Sequence, residues 1–450
     1  MKEFISPNDQ ALFGIDDSQT IQNAIAAALA DGCRKVVIPR YNLRTGKTEW
    51  RIPVSIKMPS DFTLILDNCY MVQESGCYDN MFTNENAGKP NSTMEDEQYG
   101  ITILGVGNVC LSGGEHNGLM EVTSAHYGMP RVWKNTMFLW HNVRDLRVEN
   151  LHMEHQRWWA MTHLYCRNVK LKNLDFFAVP HVPNMDGIDL RVGCHDFEIE
   201  NITGRTGDDT IAMTALSMSY EQSCAVEGKD SHIHDVKIRN VVSDPNEMLN
   251  VRLLTQDGNQ VRDINIDTIL DTSDISMKVK ARAAIGIGSP GNVYKTLSHS
   301  HPDDTRNIYA KNLYTRGTQA VRFDEACAHA LFENVKTFAN NVVGTSTLAL
   351  GCVLTNVVFD HFYYSSNRVV HRSGLSLYKE GFIPSIVRLP KTRGDLTFRH
   401  LHVDGLDCLC ELGDELKLTF EDCSIENIDQ LCENKGKATV IINGKELTND

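Results

Sequence analysis

Asp186 lies in Asn184-Met185-Asp186-Gly187-Ile188-Asp189, and 22 residues after it comes Gly207-Asp208-Asp209-Thr210. Paired carboxyl groups can cleave a glycosidic bond. One, protonated, donates to the leaving oxygen, while the other activates water or attacks, with about 6.5–9.5 Å between them where configuration inverts. Crowded like charges also resist simultaneous ionisation, which creates a proton-sharing group near neutral pH. Asn-Met-Asp-Gly and Gly-Asp-Asp also read as polar turns, and on turn chemistry alone that reading is the stronger one. The chemical reading therefore requires that 22 residues equal one structural repeat, so that the acids arrive side by side.

The chain has such a repeat. Ten segments share the pattern (Asp/Asn)-apolar-x-apolar-x-(Asn/polar)-apolar, starting at Asp145, Asn168, Asp196, Asp235, Asp263, Asn307, His329, Asn356, Asp395 and Lys417, at intervals of 22 to 44 residues. Apolar residues at positions two and four alternate as in a strand, not with the 3.6 period of a helix. Position six is asparagine in six units (Asn150, Asn173, Asn201, Asn240, Asn312, Asn334). Asparagine tolerates the left-handed conformation of a sharp corner, and stacked units would stack its amides into a ladder. One turn of short strands per two dozen residues predicts an all-β chain, a right-handed parallel β-helix of the pectin-lyase-like solenoid type. Asp186 and Asp208 would then be one strand spacing apart, about 4.8 Å.

A solenoid needs closed ends. Ile21, Ala24, Ile25, Ala28 and Leu29 lie on one helical face after Asp16-Asp17-Ser18, which predicts a capping helix over 17–30. A first strand is expected over Lys35–Pro39, recognisable coils over 145–423, and a last strand from Ala438 to Asn443 before a polar tail. No linker interrupts the pattern, so one domain over 1–450 is expected.

The 450 residues are 42% hydrophobic and 23% charged, which fits a folded protein with a core. The net charge of −14 argues against a nucleic-acid partner. No apolar run approaches the roughly 20 residues of a bilayer span, so no membrane partner is expected. The N-terminal residues carry no export signal, which predicts a cytoplasmic location. Thirteen cysteines without paired spacing fit a reducing compartment. Cys408-Leu409-Cys410 is too tight for a zinc knuckle, and neither a metal nor a cofactor is expected.

The two acidic motifs resemble those of glycoside hydrolase family 28, the polygalacturonase and rhamnogalacturonan hydrolase family. That family has Asn-Thr-Asp-Gly-x-Asp followed one coil later by Gly/Gln-Asp-Asp; here they read Asn184 to Asp189 and Gly207 to Asp209, within a matching tract from Trp159 to Met213. The resemblance implies the β-helix fold and an oligosaccharide substrate. It implies Asp208 as general acid, Asp186 and Asp209 as holders of the hydrolytic water, and Asp189 supporting the first motif from inside, with Asp189 and Asn184 expected among the substrate-binding residues. Two further family motifs, Gly-His-Gly and Arg-Ile-Lys, which grip the uronate, are replaced by Asn246 to Leu254 and Ala281 to Gly288. Arg252 and Arg282 are candidate replacements, since a guanidinium can clamp a carboxylate, although either could be an ordinary solvated arginine. Trp159, in Trp158-Trp159, is a candidate sugar platform, with one ring of the pair expected in the core and one on the surface. His181 and His195 flank the acids.

The expected activity is glycosidic hydrolysis, with inversion, of pectin-like or other uronate- or rhamnose-containing oligosaccharides. A catalytically decayed sugar-binding β-helix, or a uronan lyase or epimerase, remains open.

Overall fold

The computed structural model describes residues 2–114, 134–178, 184–246, 248–273, 283–289, 300–317, 319–337, 341–345, 351–365, 385–433 and 436–447. They fall into two compact units: residues 1–209 with 218–231, and residues 210–217 with 232–450. Each unit is a stack of parallel coils, as expected of a right-handed parallel β-helix.

In the first unit the strands Val143–Glu154, Arg167–Phe177 and His195–Arg205 lie side by side, aligning Val148, Leu171 and Ile199. A second face is built from Phe138–His141, Met161–Leu164 and Ile188–Leu190. Coils begin well before the recognisable repeat: Lys35–Pro39 pairs with Phe62–Asp67, which pairs with Ile101–Val106. The helix runs Asp17–Asp31; the Asp16 side chain accepts from the Gln19 amide, and Gly32 ends the helix in the left-handed conformation. Ile21, Ala24, Ile25 and Ala28 are buried as expected, but Leu29 is exposed. The apolar stripe is one residue narrower than its spacing implied.

In the second unit the strands Ile233–Asp244, Val261–Asp271, Thr305–Thr315, Cys327–Thr337, Cys352–Ser365, Thr392–Arg399 and Leu416–Glu421 follow one another in parallel. The fourth position of the repeat makes its core: Phe332, Phe359, Phe398 and Phe420 stack ring on ring at 4.7, 5.0 and 5.4 Å. Burying each ring contributes about 1.5–3 kcal/mol. The last strand is Thr439–Ile442, and the expected polar tail turns back as an antiparallel strand, Lys445–Glu446.

The ladder exists. The Asn173 amide donates to Asn150 Oδ1 at 2.7 Å, that of Asn201 to Asn173 Oδ1 at 2.8 Å, and that of Asn334 to Asn312 Oδ1 at 2.7 Å. All six position-six asparagines have positive φ, between 53° and 60°. Position one is a second left-handed corner, which the sequence reading passed over: Asp145, Asn168, Asp196, Asp235, Asp263 and Asn307 have φ of 51–58°, and Asn168 and Asn307 reach back to Asp145 and Asp263. Asn173 is exposed, so a lost side-chain bond alone would cost only about 0.5–1.5 kcal/mol. The conformation adds more, since a branched side chain held at positive φ costs about 1–3 kcal/mol. Asn173→Leu should therefore lower the unfolding free energy by roughly 1.5–4.5 kcal/mol, with Asn173→Gly recovering the conformational part of it. Denaturant titration of the two variants checks this; equal losses would place the whole effect in the side-chain bond.

Candidate active site

Main-chain bonds bring the acids together. Ala160 and Met161 donate to the carbonyls of Asp186 and Gly187, both at 3.0 Å; Gly187 donates to Asp209 at 3.0 Å, and Gly207 to Met185 at 2.9 Å. The segments 160–161, 185–187 and 207–209 thus occupy three successive rungs at one position of the coil. One carboxylate oxygen from each of Asp186, Asp208 and Asp209 lies within 4.8 Å of the other two. All three residues are buried, at 2%, 7% and 1% exposure, so Asp208 is the one with most access to solvent. Its Oδ2 accepts from the Asn184 amide at 3.2 Å and its Oδ1 from the Asp209 amide at 2.9 Å. Thr206 Oγ1 donates to its carbonyl at 2.7 Å. Asn184 thus serves Asp208 through its backbone, from a left-handed position with φ of 58°. Among the described residues this triad could also accommodate a hard divalent cation, since its donors are all carboxylate oxygens.

Asp189 has no exposed surface and pairs across the sheet with Thr162, so its side chain is closed off from a substrate that it was expected to touch. His163 Nδ1 lies 3.2 Å from the Asp189 carbonyl, so that nitrogen donates. Burial pulls the fully enclosed His163 imidazole down to about 4, only partly offset by the Asp189 bond. A folded-state value below the unfolded one of about 6.5 means that His163 supports folding above pH 6.5 and loses that support as pH falls through 4. Its full contribution is on the order of 3 kcal/mol. His163→Phe should flatten the acid limb of the stability profile between pH 6.5 and 4, as read by urea unfolding across that range; an unchanged limb would assign it to other groups.

Trp159 is not an open platform. It is 6% exposed and Trp158 1%, with ring centroids 4.8 Å apart. Both belong to a cluster with Leu139, Leu164, Tyr165, Val192, Cys224 and Val226. The Arg191 guanidinium covers the Trp159 ring at 4.9 Å and pairs with buried Glu221 at 2.5 Å. Residues 218–231 fold back onto the first unit and bury both rings, so neither is the surface ring that was expected. Arg157, beside them in sequence, is 1% exposed and donates to the carbonyls of Gly113, Cys77, Gln73 and Glu74 at 2.7–3.1 Å. It ties the coil ahead of the acids to two earlier segments. Neither Arg157 nor Arg191 carried a sequence signal beyond its place next to a motif.

Arg252 belongs to the second unit, on the strand Leu249–Thr255; it is half-buried, and its Nη2 lies 3.4 Å from Thr214 Oγ1. Arg282 and His181 lie outside the described residues. His195 bonds its neighbour Asp196 at 2.7 Å. The second unit also has a cavity of about 420 Å³ lined by Asp324, Glu325, Lys391 and Arg393. Burial raises the Glu325 carboxyl to about 7, a feature with no motif to announce it.

Residues 51–219 match the model of the family described as Glycosyl hydrolases family 28. The resemblance read from the motifs holds over this segment. The segment contains all three acids. The chain is 28% identical over 143 residues to a probable polygalacturonase of Arabidopsis thaliana, and 27% identical over 132 residues to the polygalacturonase QRT2 of the same plant. Those alignments cover 31% and 28% of this chain, and 28% and 30% of the relatives' own length. Among solved structures, a family 28 exopolygalacturonase from Yersinia enterocolitica aligns over 99% of this chain and 79% of its own, at 12% identity and a TM-score of 0.48.

Proposed function

We propose that this protein hydrolyses glycosidic bonds in pectin-like oligosaccharides that contain uronate or rhamnose, with inversion at the anomeric carbon. The observation that carries hydrolysis is the convergence of Asp186, Asp208 and Asp209 within 4.8 Å, inside the stretch that matches family 28. This spacing is shorter than the about 6.5–9.5 Å usual for an inverting pair, so inversion stands on the water-holding roles given to Asp186 and Asp209 and not on the separation. Asp208, the most accessible of the three, donates its proton to the departing sugar oxygen. Asp186 and Asp209 hold the attacking water. A water about 2.8 Å from each of two oxygens spans roughly 4.6 Å at a tetrahedral angle, which falls inside the 4.8 Å that bounds the carboxylate oxygens. The water's proton passes to the carboxylate pair as its oxygen bonds the anomeric carbon, and the second product leaves with the proton from Asp208.

The absence of the two uronate-gripping motifs bears on substrate choice more than on bond cleavage, because the acids themselves are intact. Proton NMR of the first-formed product from oligogalacturonides and rhamnogalacturonan fragments tests the proposal. The expected product is a reducing sugar of inverted configuration. A retained product would overturn the roles given to Asp186 and Asp209, and an unsaturated uronate would point to elimination instead of hydrolysis.

A further inference from the structure

Cys110, His152 and Glu154 converge on the outward face of the first unit. The strand Cys110–Ser112 pairs in parallel with Val143–Glu154, setting Cys110 beside His152 and Ser112 beside Glu154. Alternate residues of a strand point the same way, so His152 and Glu154 project together while Met153 is buried. One donor atom from each of the three, a thiol sulfur, a ring nitrogen and a carboxylate oxygen, lies within 4.8 Å of the others. His152 Nε2 is 3.8 Å from Glu154 Oε2. Donors around a tetrahedral zinc ion, bound at about 2.0–2.3 Å, stand roughly 3.3–3.6 Å apart, so small side-chain rotations would close the set.

A second observation concerns the imidazole. On the next coil, Asp175 Oδ2 lies 2.6 Å from His152 Nδ1, and Thr203 Oγ1 on the coil after that donates to Asp175 Oδ1 at 2.5 Å. A carboxylate that fixes Nδ1–H leaves the Nε2 lone pair aimed at the cluster, the arrangement that orients metal-bound histidines. The third observation is space: an open cavity of about 790 Å³ is lined by Cys110, His152 and Asp175, with Tyr70 and Arg40. It has room for a water as fourth ligand.

We propose that Cys110, His152 and Glu154 form a site for a zinc-class divalent ion, with Asp175 as positioning residue and a cavity water completing the tetrahedron. Sulfur, imidazole and carboxylate together select zinc-like ions over magnesium or calcium, which prefer oxygen alone. The bound ion would pin two adjacent coils. The site is independent of the Asp triad and of the reaction proposed for it.

The test uses the purified full chain, stripped with chelator, with cobalt(II) as spectroscopic probe and zinc by calorimetry. The expected result is saturable uptake with a near-ultraviolet thiolate-to-cobalt band, and zinc should raise the melting temperature. Cys110→Ser should abolish the band and weaken zinc binding at least about 100-fold, and Asp175→Asn should weaken it about 10–100-fold. His361→Ala, in the exposed Asp360, His361 and His400 cluster, should leave the band intact. If circular dichroism shows that Cys110→Ser does not fold, Glu154→Gln takes its place, with zinc affinity expected to fall at least about tenfold. Absence of saturable uptake, a band that survives Cys110→Ser, or unchanged zinc affinity in Glu154→Gln would overturn the assignment.

Discussion

Asp208→Asn is expected to lower turnover by roughly 10²–10⁴-fold, the usual contribution of one positioned proton transfer, while substrate binding stays within a few-fold of wild type. The substitution keeps the outline of the side chain and removes the acid. Asp208 accepts two backbone amides, from Asn184 and Asp209; an asparagine has one carbonyl oxygen, so one of those amides loses its partner. The folding cost should be about 1–3 kcal/mol, measurable by thermal melting. An activity loss with the protein still folded separates chemistry from stability. A sugar-binding protein with a decayed site would show no such dependence.

Asp186→Asn and Asp209→Asn should each reduce turnover by a similar 10²–10⁴-fold, and the double variant by little more than either single one. In the proposed mechanism both acids orient and deprotonate one water, and residues that act as a unit are strongly non-additive. The geometry explains why neither can replace the other. In that mechanism Asp186 would reach the water from the coil of the first motif and Asp209 from the next, two coils joined by the Gly187-to-Asp209 and Gly207-to-Met185 bonds. Losing either leaves the water held from one side. Removing one of three buried carboxylates also relieves repulsion, so Asp209→Asn should melt at or above the wild-type temperature. Additive losses in kcat would show that the two acids have separate roles.

The fold was legible because a β-helix writes its period into the chain. Asn150, Asn173 and Asn201 recur at the same place in the coil since each occupies a left-handed corner, and a conformational demand of that kind admits few residue types. The same period made Asp186 and Asp208 neighbours across 22 residues. Lateral packing leaves no periodic trace. Trp159 is buried because residues 218–231 return to cover it, bringing Glu221 to Arg191 and Cys224 and Val226 to the rings. Nothing local to Trp159 encodes that return. Likewise Leu29 keeps the helical spacing but falls outside the face that packs, and Arg157 takes its partners from segments 44 to 84 residues away. The Cys110–His152–Asp175 column joins three coils at intervals of 42 and 23 residues, too irregular to stand out before the coils are stacked.

The most direct test of the account follows reducing ends and sugar binding together, for wild type and Asp208→Asn, on oligogalacturonides and rhamnogalacturonan fragments under single-turnover conditions. The account predicts that the wild type releases reducing ends from at least one of these substrates, and that Asp208→Asn binds the same substrate comparably and cleaves it at least about 100-fold more slowly. Equal cleavage by the two proteins, or no cleavage of any glycosidic substrate by the wild type, would contradict it.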